Sequence, residues 1–248
     1  MHRDELSQTL EALLAPARFH DYCPNGLQVA GRAQVRRLVT GVSASMALLE
    51  AAHAAGADAI LVHHGYFWRN ESMCLTGARR ARFAWLLQHE LNLYAYHLPL
   101  DAHPQLGNNA QLALRLGLCN LVQCEAPSLV WHGTPQTETT LDAFAAHIAT
   151  VLGRVPLVIG DRARALRRVA WCTGGAQSYF EEAIGLGVDA YLTGEISEQH
   201  VHLARETGVA FIAAGHHATE RFGVQAIGAH LAQAHGLEHR YIEIDNPV

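Results

Sequence analysis

Short apolar runs rich in β-branched and aliphatic residues recur along the chain at 37–42, 59–63, 93–97, 168–173, 190–193 and 209–213. Between them the apolar positions take a helical spacing, as in MALLEAAHAAG and YFEEAIGLG. Each of those two segments ends in a glycine, Gly56 or Gly187, suited to a helix C-cap. Strands alternating with helices predict an α/β fold with much parallel pairing, helices on the faces of the sheet and functional loops at the carboxyl ends of the strands. The opening MHRDELSQTLEALL reads as an amphipathic helix, because Arg3, Asp4 and Glu5 break the apolar core that a signal peptide needs.

The pattern repeats. A shift of 131 positions lays residues 36–65 on residues 167–196 with eight identities in thirty and no gap. These are the Arg-Arg pair, Glu50/Glu181, Ala52/Ala183, Gly56/Gly187, Asp58/Asp189, Ala59/Ala190 and Leu61/Leu192. The next strand realigns at a shift of 119, which sets His97-x-x-x-Asp101 on His216-x-x-x-Glu220. An internal repeat fixes the architecture. The expected fold is therefore two similar α/β halves, residues 1–125 and 126–248, with mixed, largely parallel sheets and a metal site between the halves. The stretch 141–160 is expected to add a helix and a strand to the second half.

Composition narrows the chemistry. The 248 residues are 50% hydrophobic and 17% charged, which fits a soluble protein with a real core and no membrane span. All 18 basic residues are arginine. Without lysine, Schiff-base catalysis, pyridoxal phosphate attachment and a phosphate-loop lysine are excluded. The formal charge of −5 gives no basic field for nucleic acid, and the Arg pairs at 36–37, 79–80 and 167–168 read as separate solvated faces. Five cysteines with no C-x-x-C pair point to reduced thiols and a cytoplasmic location.

Histidine is the opposite extreme, with 17 in the chain. Three strand ends gather it with carboxylates: ILVHHGYF carries His63 and His64, YAYHLPLDAH carries His97 and Asp101, and AAGHHATERFG carries His216 and Glu220. Side chains of adjacent residues in an extended strand point to opposite sides, so His63 and His64 serve together only if the chain turns there or each meets its own ion. The H-x-x-x-E spacing puts His216 and Glu220 on one face of a helical turn. Imidazole plus carboxylate without thiolate suits zinc, iron, manganese or nickel in an open site. Six such groups are too many for one open ion and fit two ions roughly 3.5–4 Å apart, with Asp101 and Glu220 as bridging candidates. His97 serves either as a ligand or by orienting Asp101. In the repeat, Glu195 stands where His64 stands, so it and His202 are candidate catalytic groups for proton transfer. The turn TGG at 173–175 could admit a phosphate or purine close to the backbone.

These residues resemble the GTP cyclohydrolase 1 type 2-like proteins, also described as the Ngg-one-interacting-factor-three-like family. The resemblance is carried by PNGLQVAG, VTGVSAS, GADAILVHHGYFW, YHLPLDAHPQLGNN, DAYLTGEIS and GHHATERFG, in order over essentially the whole chain. It implies a two-metal centre with His63, His64, Asp101, His216 and Glu220 as ligands and His97 close by. It also implies a homohexamer and a ring-opening hydrolysis of the GTP cyclohydrolase kind. The expectation is a dinuclear metal-dependent hydrolase for a nucleotide-like or heterocyclic small molecule, with two divalent ions per subunit. The alternative is a non-catalytic metal store, scaffold or regulatory protein.

Overall fold

A computed structural model of the chain describes residues 1–248. The first elements are α1 (Arg3–Leu14), β1 (Gly26–Val29), β2 (Arg37–Ser43), α2 (Met46–Ala54), β3 (Ala59–His64), α3 (Gly77–Gln88), β4 (Asn92–Ala95) and α4 (Leu98–Ala102). There follow α5 (Asn108–Arg115), β5 (Leu118–Gln123), β6 (Trp131–Pro135), β7 (Thr139–Thr140), α6 (Leu141–Leu152), β8 (Leu157–Ile159) and β9 (Ala165–Leu166). The chain continues through β10 (Val169–Trp171), α7 (Phe180–Gly185), β11 (Ala190–Thr193), α8 (Glu198–Thr207), β12 (Ala210–Ala213) and α9 (His216–Thr219). It ends with α10 (Arg221–His235) and β13 (Glu238–Tyr241). No helix is long and apolar enough to cross a membrane.

The fold is mixed α/β and comprises two compact units. The first is Met1–Gly107 with Gly223–Asp245, the second Asn108–Phe222 with Asn246–Val248. The first holds a five-stranded sheet in the order β1-β4-β3-β2-β13, parallel except for β1. The second holds a six-stranded sheet in the order β5-β6-β10-β11-β12-β8, whose three central strands β10, β11 and β12 are parallel. The units divide after residues 107 and 222, not at the expected 125/126. The reason is packing: residues 108–115, which follow the third parallel strand of the first copy, add Leu112 and Ala113 to the core of the second unit. Conversely, Val224, Ile227 and Leu231 of α10 enter the core of the first.

Parallel strands covered on both faces explain the unbroken apolar runs. Along β3, Ile60 and Val62 face Leu48, Leu49 and Phe83, while Ala59 and Leu61 face Leu6, Leu10 and Leu14 of α1. Along β11, Tyr191 faces Phe180 and Phe211, while Ala190 and Leu192 face Phe144, Ile148 and Leu152. The added helix α6 thus covers in the second unit the sheet face that α1 covers in the first.

The pairing registers keep the sequence offset. Leu38 pairs with Ala59 and Val169 with Ala190, each 131 positions on. Ala59 pairs with Asn92 and Ala190 with Ala210, so the third strands correspond at 118. The offset of 119 holds only from His97 and His216 onward, because the second copy has one more residue between its strand and its motif. A carboxylate device recurs at the same places. Asp58 accepts the backbone N–H groups of Arg36 and Arg37 at 2.9 and 3.0 Å, and Asp189 accepts those of Arg167 and Arg168 at 2.8 and 3.0 Å. Arg37 and Arg168 in turn donate to the carbonyls of Ala55 and Leu186, which end α2 and α7. Gly56 and Gly187 follow with φ of 71° and 69°, the left-handed conformation expected of them.

Candidate metal centre

In the first unit the strand ends gather imidazoles. His63 is fully buried at the end of β3, and its Nδ1 lies 3.0 Å from the Tyr96 carbonyl. A carbonyl only accepts, so Nδ1 donates there and Nε2 is turned toward Asp101. That Nε2 lies 3.5 Å from Oδ1 of Asp101, which is itself 5% exposed. A buried imidazole nitrogen beside a buried carboxylate is a donor set that fits a divalent ion. His64 shares a 3.0 Å hydrogen bond between Nδ1 and Ser43 Oγ, and its ring centroid is 4.5 Å from that of His63. His63, His64 and His97 each offer a ring nitrogen within 4.8 Å of the others. Gly65 allows close packing here, since a Cβ would fall 2.3 Å from Gln28 Oε1 and 2.4 Å from the Ala95 Cβ.

His97 does not reach Asp101 through its Nδ1, which donates to Asp21 Oδ1 at 2.7 Å. Asp21 also accepts the Leu98 N–H and the Asn25 amide, while Asn25 Oδ1 accepts the His97 N–H. Burial pushes the Asp21 carboxyl up, but the hydrogen bond and charge of His97, with Asn25 and the Tyr22 N–H, hold it down at about 2. Sequence reasoning missed Asp21; its signal was its place just ahead of the PNGLQVAG motif. Cys23 lies close enough to join Asp21 and His97. Burial, with the Asp21 charge, pushes its thiol up to about 12. The indole of Trp68 stands edge-on to His97, 4.9 Å between centroids. Phe67, just before it, has a φ of 66°, a strained conformation for a bulky residue that redirects the chain beside the imidazoles.

In the second unit the equivalent strand ends gather carboxylates. His216 opens α9 with Nδ1 2.6 Å from Glu195 Oε1 and Nε2 3.2 Å from Glu220 Oε2. The second contact is the one that the H-x-x-x-E spacing predicts. Burial lowers the affinity of His216 for a second proton, but the two carboxylates overcome that and raise its pKa to about 9. Carboxylate, imidazole and a second carboxylate in series form the arrangement in which an outer acid fixes the tautomer of a metal-ligating histidine. Glu220 is 2% exposed, and Gly174 makes room for it: a Cβ there would lie 1.9 Å from Glu220 Oε1. Gly194, which stands where His63 stands in the first copy, would likewise put a Cβ 2.6 Å from the His216 Cα. The TGG turn therefore serves first to seat Glu220.

The structure thus brings His63, His64, His97 and Asp101 together in the first unit, and Glu195, His216 and Glu220 together in the second. His202 stands apart on the exposed face of α8, where its Nε2 donates to Glu198 Oε1 at 2.8 Å.

The model of the Duf34/NIF3 (NGG1p interacting factor 3) family matches residues 1–247. The chain belongs to the Duf34/NIF3 family. A Pseudomonas aeruginosa member named GTP cyclohydrolase 1 type 2 homolog is 53% identical over 249 residues, covering 98% of this chain and 97% of that protein. The Escherichia coli K12 protein of the same name is 49% identical over the full length of both. Among solved structures, a structural-genomics protein of unknown function, ybgI, matches with a TM-score of 0.96 at 49% identity over all of both chains. The family fold is therefore shared from end to end, including every strand end that carries the imidazoles and carboxylates.

Proposed function

We propose that this Duf34/NIF3 chain is a dinuclear metal-dependent hydrolase acting on a nucleotide-like or heterocyclic small molecule. The observation that carries this reading is the buried His63 Nε2 facing the Asp101 carboxylate, its other nitrogen committed to the Tyr96 carbonyl. His63, Asp101 and Glu220 would hold one ion and His64, His216 and Glu220 the other, with His97 beside them. The His and carboxylate donors suit zinc, iron, manganese or nickel. Two divalent ions would supply Lewis acidity toward water and toward a substrate oxygen or ring nitrogen.

The protein's own groups do the rest. Glu195 holds the His216 Nδ1 proton at 2.6 Å and is more than one-third exposed, so it can also exchange a proton with a ligand or solvent. Asp21 fixes His97 in the same manner. Relatives named GTP cyclohydrolase 1 type 2 homolog support opening of a purine-like ring as the reaction. A cytoplasmic homohexamer belongs to the same reading.

Metal analysis of the purified protein, with a screen of nucleotides, pterins and purines, tests it against Glu220→Gln. Two ions per chain are expected, with turnover lost in the variant. Turnover unchanged in Glu220→Gln overturns the reading, and two ions with no turnover of any heterocycle favour the metal store or scaffold.

A further inference from the structure

The turn at 173–175 is held from two sides by threonine hydroxyls that the metal reading leaves without a role. Thr193, which ends β11, and Thr219, which ends α9, are both fully buried. Thr219 Oγ1 accepts the Gly174 N–H at 3.0 Å and donates to the carbonyl of Gly215 or of His216, at 2.9 and 3.0 Å. Thr193 Oγ1 donates to the Gly174 carbonyl at 3.0 Å and accepts the Ala176 N–H at 3.3 Å. A hydroxyl has one proton to give, so neither has a donor left for a bound ligand. Both act on the backbone of one glycine.

That glycine is the one against which Glu220 rests. At its φ of 72°, a Cβ would lie 1.9 Å from Glu220 Oε1 and 3.3 Å from His216 Nε2. Thr219 immediately precedes Glu220, so its hydroxyl closes a short ring: backbone to Glu220, carboxylate to Gly174, and the Gly174 N–H back to Thr219. The first unit shows that the fold itself does not ask for these hydroxyls. At the same offsets it has Val62 and Leu100, both fully buried, and it has Ser43 where Gly174 stands. We infer that Thr219 is a positioning residue for the Glu220 carboxylate, with Thr193 supporting it from the carbonyl side of Gly174. The inference rests on the reading of Glu220 as a metal ligand. Without the Thr219 hydroxyl the buried Gly174 N–H loses its acceptor, and the turn must move to find another. The carboxylate moves with it, because no side chain stands between them.

Cobalt(II) added to the chelator-treated, intact protein tests it, with affinity read by chelator competition and ligand geometry by the visible absorption of the ion. Thr219→Val keeps the shape and removes the hydroxyl. It is expected to weaken cobalt binding about 10–100-fold, the usual effect of losing an outer partner of a ligand, and to change the spectrum. Thr193→Val is expected to cost less, because the Gly174 carbonyl keeps the Gly194 N–H at 2.8 Å. Thr219→Ser retains the hydroxyl and should bind and absorb as wild type does. Ile148→Val, a core change on α6, should lower the urea midpoint and leave both readouts alone. Wild-type affinity and spectrum in Thr219→Val overturn the inference, and so does a loss in Thr219→Ser as large as that in Thr219→Val. If Thr219→Val does not fold, Thr193→Val decides, and an unchanged affinity and spectrum there overturn it. Glu220→Gln separates the two readings. Cobalt lost in Glu220→Gln but kept in Thr219→Val defeats the positioning alone, whereas cobalt bound by Glu220→Gln as by wild type defeats the ligand reading and the positioning with it.

Discussion

The two units build their strand ends from one plan and equip them with opposite chemistry. In the first, the end of β3 is His63-His64; in the second, the end of β11 continues as Gly194-Glu195. The motif after the third strand diverges in the same way. His216 and Glu220 contact each other at 3.2 Å, whereas His97 turns to Asp21 and Asp101 turns to His63. The first unit thus gathers imidazoles beside the ring of Trp68. The second gathers carboxylates about one imidazole, with glycines that make room for them. Matching backbone with different residues at the strand ends thus gives one unit an imidazole cluster and the other a carboxylate–imidazole–carboxylate series.

The sharpest way to break this comparison is to remove one imidazole from each unit. His63→Ala and His216→Ala are both expected to abolish activity and to lower bound metal by more than the roughly 10–100-fold that loss of an outer partner costs. Metal analysis after dialysis checks it; metal retained in either variant shows that unit to be no part of the centre. Next in size is the glycine contrast. Gly174→Ala puts a Cβ on Glu220 Oε1 at a φ of 72°, so it should displace that carboxylate and cost metal nearly as a Glu220 substitution does. At the corresponding position of the first copy, Ser43→Gly removes only the hydrogen bond to His64 and should cost about 1 kcal/mol or less. Equal losses of metal in the two variants would erase the distinction.

Smaller still are the outer carboxylates. Glu195→Gln and Asp21→Asn each keep shape and lose charge behind a histidine, and each is expected to weaken metal binding about 10–100-fold in chelator competition. If Glu195 is also the proton-transfer group, Glu195→Gln alone should depress turnover further at saturating metal. Matching kcat values for the two variants would confine Glu195 to positioning.

Much of this was legible in the sequence, and the failures have physical causes. Period and offset placed the parallel strands within a few residues, because strands buried on both faces must be continuous runs of apolar side chains. The H-x-x-x-E spacing gave the His216–Glu220 contact, since one helical turn fixes it. Asp21 was invisible because it reaches His97 across 76 positions through a loop that has no periodicity. The compact units divide elsewhere than the turn at 125/126 for a related reason. Proline, glycine and threonine near 125–135 mark an exposed turn, whereas the packing that decides membership is made by Leu112 and Ala113 on one side and Val224 and Ile227 on the other.

The finest contrast concerns the clamps at Asp58 and Asp189, which bind the same two backbone N–H groups at the head of each unit's first core strand. Asp189 also pairs with Arg164 at 2.8 Å, and Asp58 with Arg32 at 3.1 Å. Burial raises the Asp189 carboxyl, but hydrogen bonds from the Arg167 and Arg168 backbone and from Arg164, with the Arg164 charge, outweigh it and leave its pKa lowered. A carboxyl whose folded pKa lies below its unfolded value of about 3.9 contributes stability that is full above that value and is lost as pH falls through the folded one. Asp189→Asn should therefore cost on the order of 1–3 kcal/mol at pH 7, the worth of hydrogen bonds to a charged group, and much less near pH 2. Urea unfolding at the two pH values measures the difference. A cost that is the same at both would mean that the clamp works through shape and not through its charge. Asp58→Asn, measured alongside, then shows whether the two units are equal at a device that both retain.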